Sequence, residues 1–395
     1  MKTRILKILA RMDGITLVRT RFLSHIFALF VSLPGRLTFL NMARYGVCSE
    51  KTYRTHFEAS FDFFEFNRQL INQTCSRHRI LAADCSFVPK SGKHTPNLGN
   101  FWNGGVSKSM PGLEISELAL VDVEKNTAFH LECLQTPGDL PDTESRIDFY
   151  VKQIVDRAAE LKKLADYIVY DGAAAKKKFV DEIADSTELD LISKLRKDAN
   201  VRYLYTGPRK PGPGRPQCYD GKMDCQNPDL SRFETCYEDT QITIFTAIVN
   251  SPSLKRNLRI AYVQDKHSDG YVILFSTDVN LDGLLIYQYY KARFQIEFLF
   301  RDGKQHTGLT HCQARSENKL AFHFNASLTS VSLAKAEFYA ENAGRDIPFS
   351  MRNIQIRAAN RLFLDHIFST LSLDPKSKEI AMCYQELVDF GTIAA

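Results

Sequence analysis

The sequence predicts an α/β protein whose strand-and-helix core carries a β-rich insertion and is flanked by helical regions at both ends. Three observations carry this reading. Residues 1–78 show helical periodicity and no strand-like run; residues 80–205 alternate strand-like and helix-like runs; a Gly/Pro-rich break at 207–216 opens onto β-branched and aromatic stretches. A chain of 395 residues can hold two or three domains with cores of their own. The shifts in composition divide it into 1–78, 79–206, 207–282, 283–330 and 331–395.

In the first region, residues 37–45 read as a helix and Gly46-Val47-Cys48 as a tight break. Ser49 then caps a second helix that holds Lys51, Arg54 and His56. The pair reads equally as a helix-turn-helix, its second helix entering a DNA major groove, or as a plain helical hairpin with solvated charges. Tyr53, Phe57, Phe61 and Phe64 recur at helical spacing and belong to a core. Residues 79–87 form a short buried strand containing Asp84, and residues 115–123 and 127–134 form a hairpin turning at Glu124-Lys125-Asn126. Residues 145–163 are an amphipathic helix, and 167–170 a second buried strand that gives way to a turn at Asp171. Gly172 and the alanines after it open another helix, which begins with Lys176, Lys177 and Lys178. Residues 189–196 read as helical and 201–205 as a strand. The segment 207–216 is rigid, extended and basic. Its Gly214-Arg215-Pro216 centre resembles hooks that lay an arginine in a minor groove, although a basic linker is the commoner meaning. Residues 240–249, 258–263 and 271–275 are β-rich. The tail from Phe322 is helical, with Arg352, Arg357 and Arg361 among apolar residues, and would pack on the core, dimerise, or both.

The stretch YYKARFQIEFLFRDGK concentrates the chemistry. On one continuous helix, Tyr290, Arg293, Glu297 and Lys304 would share a slot about 60° wide at roughly 100° per residue. Phe294, Ile296, Phe298, Leu299 and Phe300 point in most other directions, so this helix is expected to be buried. A buried carboxylate needs a partner, and Arg293, one turn before Glu297, or a metal ion could serve. Asp84 and Asp171 lie in or at the end of strands, where open α/β sheets collect their ligands. Two strand acids and one helix acid form an oxygen donor set suited to Mg²⁺ or Mn²⁺, and two such ions could stabilise the attacking and leaving oxygens of a phosphoryl transfer. Asp122 competes for this role, but it lies within a strand beside a turn and is read as structural or as a support behind the metal ligands.

With these residues in place, the chain resembles the DDE transposases of bacterial insertion sequences, in the subgroup with a Tyr-x2-Arg-x3-Glu-x6-Lys signature. The likeness also covers DCSFVPKSGKHT, GLEISELALVDVEKNTAFHLECLQTP and the tail from RDGKQHTGL, spanning most of residues 79–360. The resemblance implies a ribonuclease H-like catalytic core with a β-rich insertion between the second Asp and the Glu. It also implies two Mg²⁺ ions, with Mn²⁺ as a substitute, held by Asp84, Asp171 and Glu297 as catalytic residues. The partners it implies are double-stranded DNA, both transposon terminal inverted repeats and target, and a second copy of the chain in a synaptic complex. Residues 1–78 then become a candidate DNA-binding domain. Arg293 and Lys304 would grip DNA phosphates, Arg293 also orienting Glu297, and Tyr290 would hydrogen-bond a phosphate or stack on a sugar. Lys90, Lys93, Lys176, Lys177, Arg215, Lys51 and Arg54 are further candidate DNA contacts, with His94 beside them on the rim. In some relatives an aromatic side chain of the insertion stacks on a flipped base; this insertion has no Trp, leaving Tyr219 or Tyr237, and Trp102 is the chain's only tryptophan. Two alternatives stay open: a metal-dependent DNA nuclease without strand transfer, and a non-catalytic DNA-binding derivative acting as a repressor.

Composition sets limits consistent with this. Hydrophobic content of 44% and charged content of 25% are those of an ordinary soluble protein. A net charge of +5 is only mildly basic, so DNA contact would rest on local clusters. Nine cysteines without a C-x-x-C point to reduced thiols in a cytosolic compartment, which the resemblance makes a bacterial, nucleoid-associated one, and Cys218, Cys225 and Cys236 lack a nearby His to complete a zinc set. Arg11 and Asp13 break the amino-terminal apolar run too early for a signal peptide, and residues 26–33 are too few to cross a bilayer.

Overall fold

The computed structural model describes residues 1–209, 215–345, 347–375 and 377–393, so the 210–214 part of the basic Gly/Pro segment lies outside the described residues. The amino-terminal region is helical as expected: α1 (Lys2–Leu9), α2 (Leu17–Ser32), α3 (Phe39–Tyr45), α4 (Glu50–Glu58) and α5 (Phe63–Thr74). Thr16, Thr38, Ser49 and Asp62 each accept the backbone N–H three residues on, which starts α2 to α5. Each such cap contributes about 1 kcal/mol.

The α/β part contains β1 (Arg79–Val88), β2 (Gly99–Asn103), β3 (Lys108–Asp122), β4 (Thr127–Gln135), α6 (Arg146–Val155), α7 (Ala158–Lys162), β5 (Tyr167–Val169), α8 (Lys177–Ser186), β6 (Asp190–Leu195) and β7 (Arg202–Leu204). Then come β8 (Tyr219–Lys222), β9 (Glu234–Glu238), β10 (Ile242–Ser251), β11 (Arg256–Asp265) and β12 (Tyr271–Ser276). Helices α9 (Gly283–Ala292), α10 (Gln295–His306), α11 (Glu317–Glu341), α12 (Met351–Leu371) and α13 (Lys378–Asp389) complete the chain. One sheet runs in the order β2-β3-β1-β5-β6-β12-β11-β10-β7-β8, with β4 on β3 and β9 on β10. Strands β1, β3 and β4 are antiparallel neighbours, and β5 and β6 run parallel to β1. The β-rich segment after the break therefore continues the central sheet through β12, which pairs antiparallel with β6. β7, which precedes the break in sequence, is hydrogen-bonded to β10 of that segment.

Three expectations are corrected. Residues 189–196 are not helical but hold strand β6, because Leu191, Ile192 and Ser193 are all buried between β5 and β12. A strand buried on both faces shows no alternation, and its apolar run is easily misread as a helix. The helix expected over 145–163 is two, α6 and α7, broken at Asp156 and Arg157. The stretch from Tyr290 to Lys304 is likewise two helices, discussed below.

The floor of the molecule is α11, buried along most of its length. On one side it receives the aromatic faces of α2, α4 and α5, with Phe57 4.5 Å from Phe322 between ring centroids and Phe63 5.2 Å from it. Tyr53, Phe57 and Phe64 are core residues, as their spacing predicts, and Phe61 is partly buried against them. On the other side α11 meets β4 through a buried polar network. Asn325 Oδ1 accepts the Cys133 N–H, 2.9 Å, and faces His130 Nε2 at 3.1 Å; His130 Nδ1 faces Glu117 Oε1 at 2.7 Å. Because Asn325 Oδ1 can only accept, Nε2 carries the imidazole proton and Nδ1 must receive one from a neutral Glu117 carboxyl. Full burial drives both groups the same way, pushing Glu117 well up and His130 down to about 3. Asp122 is structural: it accepts the N–H groups of Ser76 and Lys125 and closes the β3–β4 turn.

Candidate active site

Strand register brings the first two acids together. β1 and β5 are parallel, with Leu81 opposite Ile168 and Ala82 opposite Val169. Continuing that register two residues sets Asp84 beside Asp171. Asp171 caps a short 3-10 turn by accepting the Ala173 N–H at 2.9 Å, and Ser193 Oγ donates to its carbonyl at 2.6 Å, which fixes the backbone there. Asp84 Oδ1 accepts the Cys85 N–H at 2.8 Å, which orients its carboxylate along the strand.

Glu297 comes from the helical side. The expected single helix is interrupted: α9 ends at Ala292, and the N–H groups of Phe294, Ile296 and Glu297 bond to carbonyls only three residues back. This tightened turn sets Arg293 against the sheet. Its Nη1 lies 3.2 Å from Asp84 Oδ2 and its Nη2 3.8 Å from Glu297 Oε1. The expectation of a helix buried on nearly every side also fails. Phe294 is 47% exposed and meets Phe298 edge to face at 5.2 Å, and the Arg301 guanidinium lies 4.6 Å over the Phe298 ring. The Glu297 side chain is accordingly 44% exposed, whereas Asp84 is 23% and Arg293 12%.

Asp84, Asp171, Arg293, Glu297 and Lys304 line one open cleft of about 600 Å³. Burial first, and then the charges of Asp171 and Glu297, push Asp84 up to about 6 against the opposing pull of Arg293 and the Cys85 N–H. Burial depresses the Lys304 ammonium from its ordinary value, and Lys304 forms no ion pair among the described residues. Tyr290 stands behind the site, half-buried, its ring 5.7 Å from the Arg293 guanidinium, and its hydroxyl is raised chiefly by burial.

The other candidate DNA contacts are scattered. Lys90 is half-buried and donates to the Cys312 carbonyl at 2.5 Å. Lys93, His94, Lys176, Arg215 and Lys51 are exposed. Lys177 pairs with Asp181 and Lys178 with Asp148, so that basic run is largely neutralised. The α3–α4 pair and its Ser49 cap form as expected, with Arg54 held by Glu50 at 2.6 Å and lying 4.7 Å over the Phe39 ring. Sequence reasoning missed two cleft residues. Arg301, one helical turn past Glu297, follows from the same periodicity. Trp102 lies on the β2–β3 hairpin, 61% exposed, and nothing local in the sequence places that hairpin over the acids.

The transposase DDE domain family matches residues 134–333, half of the chain. The chain belongs to this family. The match contains Asp171 and Glu297 and starts downstream of Asp84, so in this transposase-family chain the first acid rests on its geometry beside the other two. None of the curated proteins matches the chain. No helix among the described residues is long and apolar enough to cross a membrane.

Proposed function

We propose that this chain is a DNA transposase that cleaves at the ends of a mobile element and joins the freed 3′ ends to target DNA, using Asp84, Asp171 and Glu297 as its catalytic acids. The strand order β4-β3-β1-β5-β6, antiparallel for the first three and parallel for the rest, supports a ribonuclease H-like core with residues 207–282 as its insertion. The observation that carries the reading is the convergence of three carboxylates from β1, the end of β5 and α10, with Lys304, on one open cleft.

The donor set fits divalent metal. The three carboxylates share the cleft with Arg293, Arg301 and Lys304, and the charges of Asp171 and Glu297 add to burial in raising Asp84, against the larger pull of Arg293. All-oxygen donors suit Mg²⁺, with Mn²⁺ as a substitute. Among the described residues, only Glu117, His130 and Cys133 have ligand atoms all within 4.8 Å of one another, so the three acids are held wider apart than a single-ion cage, as a two-ion site allows. Bound there, two such ions would activate the attacking water or 3′-hydroxyl and neutralise the departing oxygen. The chain's own groups do the rest. Arg293 holds Asp84 and Glu297 in register, Lys304 offers a poorly solvated positive charge to the scissile phosphate, and Trp102 and Arg301 border the path of the strand.

The test is incubation of the purified chain with DNA flanking its own gene and a target plasmid, with and without Mg²⁺. Cleaved ends joined to the plasmid are expected; hydrolysis without joining would make it a nuclease, and binding without nicking a repressor. Asp84→Ala, Asp171→Ala and Glu297→Ala should each abolish cleavage while leaving DNA binding in place. Full cleavage by Asp84→Ala rejects the acid set.

A further inference from the structure

A second cavity, of about 490 Å³, shares none of its lining residues with the acid cleft. Three loops build it. The first joins α2 to α3 and carries Arg36; the second follows β1 and carries Lys90; the third follows α10 and carries His311 and Arg315. The loops are fastened to one another rather than merely adjacent. The Leu37 N–H donates to His311 Nδ1 at 3.2 Å, and Lys90 Nζ donates to the Cys312 carbonyl at 2.5 Å. Because His311 Nδ1 is the acceptor, neutral His311 carries its proton on Nε2, where it is a donor.

Among the described residues, no carboxylate lines this cavity. Arg36 and Arg315 form no ion pair among the described residues, and both are exposed. Glu58, at the end of α4, is already taken by Ser316, Asn318 and Lys319. The cations are close enough to repel. Lys90 is lowered by burial and then by Arg315, and His311 by burial and then by His323 and Arg36. A fold that fastens uncompensated cations together in a polar cavity is shaped for an anion. The position says which anion. Lys90 lies six residues past Asp84 and Arg36 three residues before α3, so the loops of this cavity adjoin in sequence both the strand that carries Asp84 and the α3–α4 pair.

We propose that Arg36, Lys90, His311 and Arg315 form a phosphate clamp that grips the DNA backbone between the α3–α4 pair and the acid cleft. This rests on DNA being the substrate. The clamp positions the duplex and takes no part in the chemistry, so its loss weakens binding and leaves the rate on saturating DNA unchanged.

The experiment compares the full chain with its Arg36→Ala/Arg315→Ala double variant, reading duplex binding by fluorescence anisotropy in Ca²⁺ over a salt series. Each lost phosphate contact lowers the slope of log K against log salt by about 0.9. The double variant is therefore expected to show a slope shallower by about 1.8, with affinity roughly 60-fold weaker near 0.1 M salt and the difference vanishing towards 1 M. Unchanged slope and affinity in a variant that melts like the parent overturn the clamp while leaving the transposase reading intact. A parent chain that binds no duplex at all overturns both. If inorganic phosphate raises the melting temperature of the parent but not of the variant, and the DNA slopes agree, the cavity holds a free anion and the clamp is again rejected.

Discussion

Replacing Asp84 by Asn should destroy the proposed activity and stabilise the fold. The carboxyl of Asp84 moves from 3.8 to about 6 on folding, because burial and two neighbouring carboxylates disfavour its charge. A group whose folded value is raised gives stability that is complete below its unfolded value and is lost as pH rises through the folded one. Two units correspond to roughly 3 kcal/mol lost by neutral pH, an upper bound for a side chain that keeps some contact with water. Asn imitates the protonated state and escapes this loss. Asp84→Asn should therefore melt above the parent at pH 7.5 by roughly 3–6 °C. At pH 5 the folded carboxyl is mostly protonated, and the gap should shrink to about half. Adding Mg²⁺ should raise the parent's midpoint and not the variant's, since only the parent keeps the full donor set. Differential scanning calorimetry at the two pH values, with and without Mg²⁺, is the assay. A variant less stable than the parent at pH 7.5, or a gap that widens on acidification, would refute the reasoning.

Three more outcomes are expected. Glu117→Gln should also melt above the parent at neutral pH. The folded chain keeps a proton on Glu117 that the unfolded chain releases near 4.5, so the parent loses stability as pH rises past that value and Gln does not; the advantage should fade below about pH 4, and an equal or lower midpoint at pH 7.5 tells against the neutral Glu117–His130 pair. Trp102 is the only tryptophan, so fluorescence excited selectively at tryptophan reports the cleft; DNA with a single-stranded end should quench it more than blunt duplex, and an unaltered spectrum on binding places the strand elsewhere. Lys304→Ala should slow cleavage at saturating DNA on the order of a hundredfold without lowering the melting temperature, because a half-buried cation costs desolvation; equal rates would remove Lys304 from the transition state.

That Asp84, Asp171 and Glu297 meet at one cleft was readable because two of them sit in or at the end of short strand-like runs and the third in a helical one, and strand ends and helix faces have known directions. What was misread needed contacts distant in sequence. β6 is a strand only because β5 and β12 flank it, and its own residues, apolar on both faces, carry no period. The break at Arg293 leaves no mark in the periodicity, since the residues around it suit a helix and the turn is tightened against Asp84, 209 residues earlier. Phe294 and Phe298 look like core residues; instead Phe294 is exposed, and Phe298 meets it edge to face and lies under Arg301. Arg36 and Arg315 are invisible as a pair until the loops that carry them are fastened by His311.

The dependence of the first helices on α11 has a consequence for biosynthesis. About 240 residues separate the end of α5 from the start of α11. At 5–20 residues per second, a ribosome needs roughly 12–50 s to make them. Throughout that interval Phe22, Phe57 and Phe63 have left the exit tunnel with no Phe322 to cover them. A nascent chain in this state invites chaperones and proteases, and a fragment ending at residue 78 should aggregate when expressed alone. The helices that emerge first are among the last to be sheltered.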